Sequence, residues 1–185
     1  MKGLYQLILG DDFQRMAPVL RALHDGQGAL VQGDLTVKWA RPMWQRLLLR
    51  LTKMPRQSLS SKCHVQISPL PQCSERWVRS IGARSLTSLM QPDERSRIIE
   101  QVGLITAHLT TSVDAEGRLQ QRSDRIYLRW LGWPLPGLVI TASEEAIDKQ
   151  RFRCHVNVSL GRFGTLLSYE GVLCLRQRSE MAIKD

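Results

Sequence analysis

An alternation of apolar and polar residues runs through the C-terminal half of this chain, and it restricts the possible folds more than any other feature. Residues 152–160 place an apolar side chain at every second position. Gly161 and Gly164 bracket a short turn, after which a second apolar-rich run covers residues 166–175. Because successive side chains of a β-strand point to opposite faces, this pattern predicts a hairpin whose two strands each bury one face.

The same period recurs upstream, in runs separated by short polar or glycine-containing stretches. One run covers residues 31–39, and from residue 62 onward nearly the whole chain reads as strand, with a turn signal at Asp114–Gly117. About eight strands are predicted. A sheet of this size joined by short turns is strongly twisted, so the expected class is α+β and mainly antiparallel. The sheet is expected to be strongly curved, or to form a β-barrel or half-barrel.

Two helices are predicted near the N-terminus. The first covers about residues 11–24, is capped by Asp11 or Asp12 and is interrupted at Pro18. The second, a basic amphipathic helix, covers about residues 41–53. With the β-rich part at 62–176 and a polar tail at 177–185, the chain of 185 residues is expected to form a single domain over 1–185.

The positive charge is concentrated in one segment. Of the net charge of +9, most lies between Asp34 and Glu75, an interval without any acidic residue. A solvated basic face is the simpler interpretation, and contact with an anionic partner is the alternative. Nucleic acid is disfavoured as that partner, because aromatic residues make up only 6% and no docking motif is present. The basic residues of the interval are Lys38, Arg41, Arg46, Arg50, Lys53, Arg56 and Lys62.

The basic helix allows two arrangements. Its apolar residues, including Trp44, either plug the barrel and leave the arginines on the surface, or lie in the interface of an anionic membrane. The pattern favours the arrangement in which the apolar residues fill the barrel. In the membrane arrangement, the residues expected to contact the membrane or another anionic partner are Arg41, Trp44, Arg46, Arg50 and Lys53.

The most apolar stretch is LRWLGWPLPGLVI, residues 128–140. It is too short and too interrupted by Pro134 and Pro136 to span a membrane, which takes roughly 20 apolar residues. Since proline cannot donate in a central ladder, the stretch is predicted to break one strand from the next. Its tryptophans are expected to cover one end of the sheet, as core rather than as the roof of a pocket. With no signal-peptide pattern at the start, the expected location is cytoplasmic, with peripheral membrane contact as an option.

No catalytic motif is recognisable, so enzyme activity is left open and no catalytic residue is assigned. GxGxxG, P-loop, GxSxG and HExxH patterns are lacking. The four cysteines form no CxxC pair, so no metal site is predicted. No cofactor is predicted either. Among the adjacent pair Glu144 and Glu145, only one carboxylate is able to point into the interior. His24 is expected to interact with the end of the first helix rather than to act in catalysis.

Four residues are candidates for binding a ligand, because each lies in a strand among apolar or aromatic neighbours. A buried arginine needs a carboxylate or an anionic ligand. Structural Arg–Glu contacts or simple exposure are the simpler interpretation, and a cavity that binds the head group of an apolar ligand is the alternative. The candidates are Arg79, Glu100, Arg129 and Tyr169.

Three segments resemble a bacterial family, domain of unknown function 4166. They are LGDDFQRMAPVLRALHDG at 9–26, LGWPLP at 131–136 and RFRCHVNVSLGRFGTLLSYEGVL at 151–173, and the resemblance covers about residues 5–175. No family activity is established, but members fused to dehydrogenase-like proteins imply an accessory role near redox or lipid metabolism. The segment 85–97 is more polar than the family pattern, so strand pairing there is left open. The best matches are Gly33, Trp77, Arg79, Gly82, Glu100, Gly103, Gly132, Pro134, Pro136, Phe152, Val156, Gly164, Tyr169 and Gly171.

The leading functional hypothesis is a barrel-like module that binds an apolar or amphipathic small molecule, with a membrane surface as a further contact. Two alternatives stay open. One is an accessory or catalytic domain associated with a dehydrogenase-like partner. The other is an interaction module that docks on an acidic protein through the basic segment.

Overall fold

The computed structural model describes residues 2–52 and 54–176. Its helices are α1 (Leu4–Leu9), a 3-10 helix (Gly10–Arg15), α2 (Pro18–Leu23), α3 (Met43–Leu51) and a second 3-10 helix (Gly161–Phe163). Its strands are β1 (Ala29–Trp39), β2 (Ser58–Leu70), β3 (Ser74–Ile81), β4 (Arg84–Pro92), β5 (Ile98–Val102), β6 (Ile105–Val113), β7 (Leu119–Leu128), β8 (Trp133–Pro134), β9 (Leu138–Ala146), β10 (Arg151–Leu160) and β11 (Thr165–Arg176). Lys53 and the predicted polar tail at 177–185 lie outside the described residues.

Ten of the strands form a closed antiparallel barrel. They follow the order β6-β5-β4-β3-β2-β1-β11-β10-β9-β7, and pairing of β6 with β7 closes the ring. The two-residue β8 pairs with β7 at the edge of this ring. The predicted class, a mainly antiparallel barrel with a few helices, is confirmed.

The ring contains ten strands rather than about eight, and the segment whose pairing was left open, residues 85–97, lies largely within one of them. Residues 84–92 form β4, and β5 follows at 98–102. Only Ser88 and Met90 of β4 are fully buried, so its sequence carries little apolar alternation. Pro92 is the last residue of β4, where a missing backbone donor does little harm.

The first predicted helix is broken into two pieces and is preceded by a helix that the pattern did not predict. The chain leaves helical geometry at Met16 and Ala17, directly before Pro18, as the proline predicted. Together α1, the 3-10 helix and α2 insert into one end of the barrel, and their apolar side chains join the central core. Those buried side chains are Leu4, Tyr5, Phe13, Met16, Val19, Leu20 and Leu23.

The barrel therefore has two different ends. The closed end holds the three N-terminal helical pieces and the turns at 71–73, 93–97, 114–118 and 147–150. Ala17 is hydrogen-bonded there to the Gly117 carbonyl, from backbone N to O at 3.2 Å. The opposite end, which we call the rim, carries α3 and the turns at 82–83, 103–104, 129–137 and 161–164.

Two expectations about the rim are wrong. The described side chains of the apolar face of α3 do not plug the barrel, since Met43, Trp44 and Leu47 are exposed. Gln45 and Leu49 are buried instead. The segment 128–140 does separate β7 from β9 as predicted, but Trp130 and Trp133 project into solvent rather than covering a core. An amphipathic pattern predicts which residues share a face of the helix, but it does not predict what that face contacts.

Candidate ligand-binding site

Two of the predicted ligand-binding residues meet inside the barrel. Strands β3 and β5 flank β4, and their inward faces bring Arg79 and Glu100 together. Nη1 of Arg79 donates to Oε1 of Glu100 at 3.0 Å and also to Oγ of Ser88. Burial lowers the pKa of Arg79, but the Glu100 carboxylate together with Tyr169 and Tyr5 outweighs this effect, so that pKa is raised. The guanidinium therefore stays charged and already has a carboxylate partner.

Tyr169 lies on the inward face of β11 and is half-buried. Burial raises the pKa of its phenol, whereas the positive charge of Arg79 acts in the opposite direction. The phenol is therefore neutral at physiological pH and keeps its proton for donation. Tyr169 thus belongs to the same electrostatic environment as Arg79 and Glu100.

Arg129 is not part of this group. It follows β7 at the rim, is exposed, and places its guanidinium carbon 5.4 Å from the centre of the Trp130 ring. The run of apolar neighbours that made Arg129 a candidate belongs to an exposed turn instead of an inward-facing strand.

A second polar contact crosses the centre of the barrel and was not predicted. Nε2 of His24, at the end of α2, lies 2.7 Å from Oε2 of Glu144 on β9. The same imidazole stacks on Trp77 of β3, with ring centroids 5.8 Å apart. Strands β3 and β9 are five places apart in the ten-strand ring, so His24 bridges opposite walls. Glu145, next in sequence, faces outward toward Arg153.

Glu75 is a further buried carboxylate, and it shares the inward face of β3 with Trp77 and Arg79. Its Oε2 accepts a hydrogen bond from the Trp77 indole Nε1 at 2.9 Å. Burial raises the pKa of Glu75, and the indole hydrogen bond only partly offsets this effect. Glu75, Trp77 and Arg79 occupy every second position along β3, so the sequence pattern could have predicted that Glu75 faces inward. By contrast, no local pattern could pair His24 with a residue 120 positions away.

Apolar side chains line the inner wall between this polar group and the rim. They share the inward face of Glu144 and Tyr169 through the strand registers. They pack against the core but are only half-buried, unlike the inward residues near the closed end. A wall of this kind is able to contact an apolar molecule. These residues include Ile105, Leu138, Ile140 and Val158.

Large apolar side chains are exposed on α3 and on three of the four turns of the rim. Trp130 is 76% exposed and Met43 is 80% exposed. Trp44 packs edge-to-face on Phe163, with ring centroids 5.3 Å apart, which joins α3 to the β10–β11 turn. Four separate segments thus contribute to one apolar rim. Its members are Met43, Trp44, Leu47, Leu104, Trp130, Leu131, Trp133 and Phe163.

The predicted basic residues lie beside this apolar rim. Arg41 and Arg50 are exposed, and Arg46 is half-buried. Lys53 lies outside the described residues. Within the part of the chain that the structure describes, no helix is long and apolar enough to cross a bilayer, and no cluster of three metal-binding side chains occurs.

The comparison with protein families gives one match. The family described as Domain of unknown function (DUF4166) matches residues 16–173, which is most of the chain. The chain belongs to this family. The DUF4166 match runs from the break before α2 to the inward-facing Leu173 of β11, so it includes nine complete ring strands and most of the tenth. Comparisons with curated proteins and with solved structures gave no match.

Proposed function

We propose that this DUF4166 domain binds an apolar or amphipathic small molecule inside the rim half of its barrel. The observation that carries the proposal is the difference between the two halves of the inner wall. Near the closed end the helices fill the interior, whereas near the rim inward-facing side chains such as Ile140 and Val158 keep part of their surface exposed. Burying such surface against a ligand gains roughly 25 cal/mol per Å².

The polar residues at the base of this wall favour an amphipathic ligand over a purely apolar one. Tyr169 retains its hydroxyl proton and is able to donate it to a ligand oxygen. Arg79 is already paired with Glu100, so it offers a ligand only its remaining guanidinium donors. An acyl chain would lie along the apolar wall, and its polar group would reach Tyr169.

The rim supports a location at a membrane surface as the second part of the proposal. Trp130 and Trp133 are amphipathic side chains of the kind enriched at the membrane interface. Arginines beside the apolar rim, such as Arg41 and Arg129, favour anionic lipid by about 1 kcal/mol each near the surface. A rim that touches the bilayer would let a lipid-like ligand pass into the barrel without crossing water.

Native mass spectrometry tests the proposal. We expect purified protein to carry a lipid-like ligand that organic solvent extracts, or to form a one-to-one complex when a long-chain fatty acid is added. Denatured protein treated in the same way serves as the control for non-specific adducts. A folded protein that carries no extractable ligand and gains no fatty acid would contradict the proposal.

A further inference from the structure

We propose that a cleft beside the rim, between α3 and the barrel, is a binding site for a phosphate group. This site is separate from the inner wall and does not depend on an apolar ligand in the barrel. The cleft has a volume of about 510 Å³. It is lined by Trp39, Arg46, Arg50, Met54, Arg56, Gln57 and Arg84.

The cleft collects four arginines from three elements. Arg46 and Arg50 come from α3, Arg56 comes from the segment before β2, and Arg84 opens β4. The lining contains no carboxylate, and none of the four forms an ion pair with another described residue. Four like charges facing one cleft repel each other, so an anion bound between them would be stabilised.

The hydrogen-bond donors of Arg46 also favour an anion in the cleft. One terminal nitrogen of Arg46, Nη2, donates to Oε1 of Gln57 at 3.0 Å. Nε of Arg46 is buried and has no partner among the described residues. A buried donor without an acceptor is uncommon in folded proteins, and an anion bound in the cleft would supply an acceptor for it.

The walls of the cleft are fixed by contacts of their own. Nε1 of Trp39, at the end of β1, donates to the Pro55 carbonyl oxygen at 2.7 Å. The backbone N of Met54 donates to the Leu49 carbonyl at 3.0 Å, which ties the segment after α3 back to the helix. These contacts tie the segment that carries Arg56 to α3 and to β1. The Trp39 and Met54 side chains offer apolar contact to whatever carries the phosphate.

Phosphate fits this cleft better than a single carboxylate. Guanidinium groups bind phosphate oxygens through two parallel hydrogen bonds, and several arginines are needed to match a group with two or more negative charges. The volume exceeds that of one inorganic phosphate and suits a diphosphate or a phosphorylated head group. A soluble phosphate compound and a phospholipid head group share this chemistry.

The test compares two double variants that remove the same charge. Arg50→Ser with Arg84→Ser alters the cleft, whereas Arg76→Ser with Arg122→Ser removes exposed arginines from strands β3 and β7. Each protein is titrated with inorganic pyrophosphate by calorimetry. Each is also tested for cosedimentation with phosphatidylcholine vesicles that contain or lack phosphatidic acid. Circular dichroism checks the folding of each variant.

We expect affinity for at least one phosphate probe to fall by about tenfold for each cleft arginine removed, and the control variant to bind like the wild type. Loss confined to the phosphatidic acid vesicles assigns the cleft to a lipid head group. Loss confined to pyrophosphate assigns it to a soluble compound. Equal binding by the two variants, or no binding of either probe to the wild type, would overturn the proposal.

If Arg50→Ser with Arg84→Ser does not fold, the exposed Arg56→Ser replaces it under the same criteria. Fatty acid binding in the barrel is measured on the same samples. Cleft variants that still bind fatty acid separate a failure of the phosphate site from a failure of the proposed function.

Discussion

Inside the barrel, ionisable side chains are held in specific pairs rather than left in apolar surroundings. Arg79 contacts Glu100, and His24 contacts Glu144 across the barrel. A buried charge without a partner is costly, so each pair depends on both of its members. Arg79 and Glu100, two of the candidate ligand-binding residues, are thus also expected to stabilise the fold.

Replacing Arg79 with Met is expected to destabilise the protein by about 3 kcal/mol, because Glu100 is then left nearly buried and unpaired. The double variant Arg79→Met with Glu100→Gln is expected to lose less than the sum of the two single variants. Urea unfolding of all four proteins measures this coupling. Additive losses would show that the ion pair makes no contribution beyond its separate side chains.

Glu75→Gln is expected to change stability in a pH-dependent way. Burial raises the folded-state pKa of Glu75 above its ordinary value of 4.5. Its contribution to stability is therefore fully present below pH 4.5, and is lost as the pH rises through the folded-state pKa. The variant has no such carboxylate, yet its amide oxygen is still able to accept from Trp77. Thermal unfolding should show a larger gain from the substitution at pH 7 than at pH 4, and a constant difference would contradict the pKa shift.

At the level of single residues, the sequence predicted the orientation of those side chains whose direction follows from strand alternation. Arg79, Glu100 and Tyr169 all face inward, and one of the two adjacent glutamates does so as well. The contact between His24 and Glu144 could not be predicted from the sequence, because it depends on how deeply α2 enters the barrel. Arg129 was misplaced since apolar neighbours in a turn imitate those of a buried strand.

At the scale of elements, the contact between β1 and β11 depends on two glycines. A Cβ atom on Gly33 would overlap the Val172 carbonyl oxygen, and one on Gly171 would overlap the Asp34 carbonyl oxygen. Both obstacles are backbone atoms within the same strand pair, so no side-chain rotation relieves them. These glycines let the two strands approach closely where the first and last parts of the barrel meet.

Gly171→Ala is consequently expected to cost about 2 kcal/mol or more in the free energy of unfolding, because the strands must separate. The control is Gly103→Asn, at a turn with a φ of +54° and open space around it, where asparagine tolerates the backbone. Chemical denaturation compares the two. A Gly171→Ala protein as stable as the control variant would show that the strand pair is looser than described.

The exposed face of α3 is expected to act in membrane contact and not in folding. Met43→Ser with Leu47→Ser should leave the thermal midpoint unchanged and lower binding to anionic vesicles by about tenfold, because inserted apolar surface is lost. Leu7→Ser with Ile147→Ser removes exposed apolar side chains from the closed end and serves as the matched control. Equal vesicle binding by both variants would contradict a role for the rim.

The predicted strands agree with the structure where apolar alternation is strong, as in β1, β10 and β11. The sequence left open the pairing of residues 85–97, which contain most of β4, because apolar alternation is weak there. It identified α3 but assigned the wrong partner to its apolar face. Periodicity defines a face, and only tertiary structure decides whether that face meets the core or the outside.

As a whole molecule, the barrel is asymmetric along its axis. The closed end is filled by helices and an extended apolar core, while the rim combines exposed aromatic side chains, a half-buried inner wall and a cleft of arginines. At the rim end of the barrel, apolar, polar and basic surfaces therefore lie close together. The proposed binding of an amphipathic anion at a membrane surface requires such an arrangement of surfaces.

Binding of a fluorescent fatty acid to two tryptophan variants tests this account most directly. Val158 faces into the rim half of the barrel from β10, whereas Val172 faces outward from β11. Val158→Trp fills the space beside the inner wall, and Val172→Trp adds the same side chain to the outer surface. We expect the first to weaken binding by about tenfold or more and the second to bind like the wild type. Equal affinities for the two variants would contradict a binding site inside the barrel.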